Sequence, residues 1–115
     1  MTVPLYQAKA EFFRTLGHPA RIRVLELLSE KEHAVHELLA EIDIEPSNLS
    51  QQLAVLRRAG LVDQRRVGGE VRYAVSVEAV RDLLVVARRI LLELIEDRDQ
   101  LKPDLETPPP PPPEG

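Results

Sequence analysis

At Gly60 the spacing of the apolar residues changes from a helical period to an alternating one, and this switch constrains the fold more than any other feature of the sequence. Upstream, Leu5, Ala8, Phe12, Phe13 and Leu16 recur at helical spacing from about Pro4 until Gly17 interrupts them. Pro19 suits the first turn of a second helix, where its missing N–H is not needed, and Ile22, Val24, Leu25, Leu27 and Leu28 give that helix a wide apolar face. A third, shorter helix is expected over His33–Ile42, with Val35, Leu38, Leu39 and Ile42 inward, before DIEP breaks it. Pro46 restarts a helix, and Leu49, Leu53 and Leu56 mark its buried stripe until Ala59-Gly60 closes it.

Downstream, LVDQRRV, GG and EVRYAV predict two short strands around a glycine turn. A two-residue turn at Gly68-Gly69 would set Val62 opposite Val75, Gln64 opposite Tyr73 and Arg66 opposite Val71 on one face, with Arg65 opposite Arg72 on the other. The last helix, from about Val77 to Leu101, repeats apolar residues from Val80 to Ile95 and is too apolar to stand alone. Two Phe, two Tyr and no Trp leave the core to Leu, Val, Ile and Ala, which favours packed helices. The expected fold is therefore mainly α (α+β): five helices and a two-stranded β-hairpin. Residues 1–102 are expected to form one domain, and the acidic, proline-rich stretch 103–115 a solvated, disordered tail.

The helix opened by Pro46 raises a functional question, because its outer face carries Ser47, Asn48, Ser50 and Gln51, with Gln52 beside them, rather than the Glu, Lys and Arg that favour helix and solubility. Amide side chains offer a donor and an acceptor together, as contact with a base edge requires, and Ser serves either role at a base or a phosphate. The plainer reading makes Ser47 and Asn48 helix caps and the glutamines neutral surface. The hairpin favours the first reading. Arg57, Arg58, Arg65, Arg66 and Arg72 face only Asp63 and Glu70 in opposition, a local excess of +3 in a chain of net charge −4. Directly opposed, Arg65 and Arg72 repel each other unless an anion lies over them, and a phosphate backbone would supply one. The net acidity does not argue against this, since from Glu93 onward seven acidic residues stand against two basic ones.

Helix, turn, polar-faced helix and basic hairpin, in that order, is the plan of a winged helix-turn-helix. The stretches LGHPARIRVLELL, EHAVHELL, PSNLSQQLAVLRRAGLV and QRRVGGEVRYAV resemble successive pieces of the ArsR/SmtB family of bacterial transcriptional regulators, over about residues 10–76. The most specific feature of that family, HLxxLRxAGLV, stands here as QLAVLRRAGLV. The resemblance implies a cytoplasmic repressor that binds a palindromic operator in double-stranded DNA as a homodimer, paired through its first and last helices. It makes the Pro46–Ala59 helix the recognition helix, with Ser47, Asn48, Ser50, Gln51 and Gln52 as candidate DNA contacts. Arg65, Arg66 and Arg72 become wing contacts, with Arg57 and Arg58 adding to the basic surface. Where Gln51 and Gln52 stand, the family often has Arg and His, so the operator should differ.

The family's frequent metal-sensing sequence, ELCVCDL, corresponds to EHAVHEL, in which Ala34 and His36 replace both cysteines. The whole chain lacks cysteine, which removes thiolate-seeking effectors, disulfides and cysteine nucleophiles. A second family site on the last helix needs a histidine, and none follows His36. On the expected third helix His33 and His36 would share a face and offer two nitrogens to zinc, nickel or cobalt, too few without Glu32, Glu37, His18 or a partner subunit, so no metal or cofactor is expected. His18, beside Pro19, is expected at a helix start. No serine lies in a GxSxG context and no glycine-rich phosphate loop is present, so no enzyme is expected. No stretch approaches the run of about 18 apolar residues that a membrane span needs, so no membrane partner is expected. The rival reading is a winged-helix scaffold that serves as a protein interaction module through its last helix and proline run.

Overall fold

The computed structural model describes residues 2–96. Its elements run α1 (Leu5–Leu16), α2 (Pro19–Glu30), β1 (His33–Ala34), α3 (Val35–Glu41), α4 (Pro46–Arg58), β2 (Val62–Val67), β3 (Glu70–Val75) and α5 (Glu78–Glu96). The chain divides into two compact units between Arg81 and Asp82, the first holding α1 through the opening turn of α5 and the second the rest of that helix. The expected end of the last helix at Leu101 and the expected tail at 103–115 lie outside the described residues.

Local chemistry places the helix ends. The His18 imidazole caps α2 by accepting from the Ala20 backbone N–H through Nδ1 at 3.1 Å, with Pro19 as the first helical residue. Pro46 holds the same position in α4. At the far end of α4, Gly60 takes φ +80°, Leu61 N–H donates to the Leu56 carbonyl and Gly60 N–H to the Arg57 carbonyl. This is a Schellman stop, with Leu56 and Leu61 both buried beneath it. A side chain at Gly60 would strain that left-handed turn, so the AG pair sets where helix gives way to strand.

The buried stripes meet inside the first unit. Val24, Leu25 and Leu28 of α2, Leu38 of α3, and Leu49, Leu53 and Leu56 of α4 are all essentially inaccessible to solvent. Each such side chain contributes about 1.5–3 kcal/mol of hydrophobic stabilisation. The hairpin register is Val62↔Val75, Gln64↔Tyr73, Arg65↔Arg72 and Arg66↔Val71, as the alternation predicts. Gly68 and Gly69 have φ of +59° and +84°, the paired positive values of a type I′ turn. Ser76 ties the base of the hairpin to the end of α4, its N–H donating to Leu61 O and its hydroxyl to Gly60 O.

One element differs from the sequence expectation. His33 and Ala34 do not begin α3 but form β1, pairing antiparallel with β3 (His33↔Tyr73, Ala34↔Arg72), so the sheet has three strands in the order β1-β3-β2. Two residues are too few to show an alternating pattern, and the free edge of β3, distant in sequence, supplies the pairing. The result is a winged helix-turn-helix in which α3, the Ile42–Glu45 turn and α4 precede the wing.

Candidate nucleic-acid interface

Burial of Leu49, Leu53 and Leu56 turns the opposite side of α4 outward, and Ser47, Asn48, Ser50 and Gln51 are all exposed there. Arg57 and Arg58, in the last turn, are exposed as well. Gln52 is not part of this face. It is only 8% exposed, its Oε1 accepts from Arg21 Nη1 at 3.1 Å and its Nε2 donates to Asn48 Oδ1 at 2.8 Å. On a helical wheel Gln52 falls 60° from Leu49, on the side of Leu56, so the expected base contact by Gln52 is replaced by a buried link between α2 and α4. Arg21 is itself fixed by Nε donating to the Thr15 carbonyl at 2.8 Å.

The wing corrects the argument from opposed arginines. Arg65 and Arg72 do face each other across the ladder, but the anion over them belongs to the protein. Arg65 donates to both carboxylate oxygens of Glu32, at 3.2 and 2.8 Å. Arg72 donates to Glu70 at 2.8 Å and to Glu37 at 3.0 Å, with Glu32 at 4.0 Å. The Arg72 side chain is 20% exposed, whereas that of Arg65 is 65% exposed. Arg72 therefore anchors the wing to β1 and α3, while Arg65 keeps much of its guanidinium in solvent. Arg66 is exposed near the tip, donating to the Gly69 carbonyl at 2.9 Å.

Two acids of this cluster, Glu37 and Glu70, titrate low. Glu37 lies below the usual glutamate value chiefly because it accepts the Ala34 backbone N–H, with Arg72 and the two histidines adding to the effect. Glu70 is lowered first by its hydrogen bond with His36, at 2.8 Å, and then by that with Arg72. Arg72 is raised in turn, Glu70 being the largest cause. Bonding to the charged form explains all three directions.

His33 and His36 do not share a helix face, because β1 carries His33 and α3 carries His36. Nδ1 of His33 lies 2.8 Å from the Lys31 carbonyl and Nε2 of His36 faces Glu70, so the two rings have separate partners. Among the described residues no cluster of three or more His, Cys, Asp or Glu could hold a metal ion.

Sequence reasoning missed Arg21, Glu32, Glu37 and Glu70 as supports of this surface. Arg21 meets Gln52 across 31 residues and Arg72 meets Glu37 across 35, so no local period reports either contact. The wheel position of Gln52 carried a readable signal, as did the placing of Glu70 two residues from Arg72 on the same strand.

A polar-faced helix beside a tethered basic wing defines the DNA-binding class of winged helix-turn-helix proteins. A family model described as "Bacterial regulatory protein, arsR family" matches residues 18–64. The uncharacterized HTH-type transcriptional regulator Rv0081 of Mycobacterium tuberculosis is 52% identical over 103 residues, spanning 89% of this chain and 90% of that one. The crystal structure of Rv0081 superposes with a TM-score of 0.77 at 53% identity, covering 84% of this chain and 98% of that chain. The homodimeric winged helix-turn-helix DNA-binding domain of Mb0332 from Mycobacterium bovis gives a TM-score of 0.71 at 26% identity, covering 80% and 86%. The biofilm growth-associated repressor of Agrobacterium fabrum is 41% identical over 75 residues, covering 65% and 64%. The chain belongs to the ArsR/SmtB family and is a DNA-binding transcriptional regulator, not an enzyme.

Proposed function

We propose that the protein is a homodimeric, sequence-specific repressor that sets two α4 helices into successive major grooves of a palindromic operator, in the cytoplasm, without the cysteine metal site common in its family. The observation that carries this reading is the exposed hydroxyl and amide face of α4, Ser47, Asn48, Ser50 and Gln51, flanked by exposed Arg57, Arg58, Arg65 and Arg66. Short polar side chains let a helix approach base edges closely, while the arginines neutralise phosphates on either side. Gln52 and Arg72 support this surface from behind.

Dimerisation is supported by apolar side chains left in solvent within each unit. Leu5, Tyr6 and Phe13 of α1 and Val85, Ile90, Leu91 and Leu94 of α5 are each at least 50% exposed. Burial against a second copy is the usual resolution of such faces, and the homodimeric Mb0332 domain is a relative in which pairing occurs. The deciding experiment is a gel shift on the DNA upstream of the gene, repeated as salt is raised. Binding should prefer that DNA over random duplex and should weaken by about 10³-fold or more between 50 and 200 mM salt if about six or more phosphates are contacted. Equal affinity for both DNAs, or a flat salt response, would remove the assignment.

A further inference from the structure

We propose that Arg21, acting through buried Gln52, fixes which end of the Asn48 amide meets DNA, so that Asn48 presents hydrogen-bond donors and selects a base whose major-groove edge carries acceptors only. This rests on α4 being the recognition helix. A guanidinium can only donate, and Arg21 is held in place by Thr15 O at 2.8 Å. The Gln52 atom facing Arg21 Nη1 at 3.1 Å must therefore be its oxygen. Its nitrogen then points at Asn48, 2.8 Å away, and that neighbour must in turn be the Asn48 oxygen. Reversing either amide would set donor against donor, and Gln52, only 8% exposed, has little water to relieve the clash.

The group Asn48 turns outward is thus its NH₂, which has no partner among the described residues. In the major groove guanine (N7, O6) and thymine (O4) present only acceptors, whereas cytosine presents an amino donor and adenine sets its N6 amino donor beside the N7 acceptor, where it opposes a second donor. Asn48 accordingly reads guanine or thymine. Arg21 and Gln52 are positioning residues that determine specificity without touching DNA.

The test is selection of binding sites from random duplex oligonucleotides by the full-length protein and three variants. Asn48→Ala identifies the position in each half-site that Asn48 reads, as the one where preference is lost. In Gln52→Glu the buried carboxylate still accepts from Arg21 but cannot donate, so Asn48 must turn its NH₂ inward and its oxygen to the groove. At the Asn48 position the variant should then exchange guanine or thymine for adenine or cytosine on the same strand, with a preference change of about tenfold or more. Asn48→Asp alters only an exposed side chain and should make the same exchange, which keeps the idea testable should Gln52→Glu fail to fold. The inference is overturned if Asn48→Ala leaves every position unchanged, if folded Gln52→Glu selects the wild-type base class, or if Asn48→Asp does. Wild-type protein that selects no sequence at all is a different failure, that of the recognition-helix reading itself.

Discussion

Gln52 and Arg72 illustrate how residue type misleads when partners are distant. Both have the chemistry of a DNA contact, yet one lies behind the exposed polar face of α4 and the other is enclosed by three carboxylates. Truncating Gln52 to Ala leaves one guanidinium nitrogen of Arg21 without its part-buried acceptor, and should destabilise the fold by about 1–3 kcal/mol in a urea titration. Removing Arg66, which is exposed and, among the described residues, bonded only to a carbonyl of its own turn, should leave the urea midpoint nearly unchanged. It should instead weaken binding to cognate and random DNA alike and lower the salt slope by about one. A gel-shift series on the Arg66→Ala variant separates these effects.

The wing is held by elements that meet across the sequence, and its anchorage should depend on pH. Glu37 and Glu70 have folded pKa values below their ordinary value, so their contribution is complete above the ordinary glutamate range, near 4.3, and disappears as the pH falls through the lowered values. Amide exchange in β2 and β3 should accelerate on acidification below that range, relative to the amides of α2 and after correction for intrinsic rates. An unchanged ratio would mean that the carboxylates do not hold the wing. At the wing tip, Gly69→Ala places a Cβ where φ is +84°, a left-handed conformation costing about 1–2 kcal/mol for other residues. Space is open there, so strain rather than collision sets the penalty. The variant should melt earlier while the α4 surface stays intact.

For the whole molecule, the apolar residues left exposed matter more than those buried. A chain with Tyr6 and Phe13 exposed on one helix and Ile90, Leu91 and Leu94 exposed on another should not remain monomeric in water. Phe13→Glu and Leu94→Glu should each shift the protein toward monomer in sedimentation velocity. If the proposed dimer engages two half-sites together, each should also lower affinity for the upstream DNA by far more than any single wing substitution. Retention of the dimer by both variants would place the interface elsewhere.

Helix and strand periods, the proline starts, the Ala59-Gly60 stop and the glycine turn were all legible in the sequence, because each depends on neighbours within a few residues. The hairpin register followed from the same local rules, as did the exposed polar face of α4 opposite its leucines. Tertiary structure alone decided that His33 and Ala34 join the sheet, that Gln52 is bonded to Arg21, and that Glu32 and Glu37 provide the anion for Arg65 and Arg72. Those contacts join residues more than 30 positions apart, and no periodicity encodes which carboxylate the folded backbone brings to which arginine.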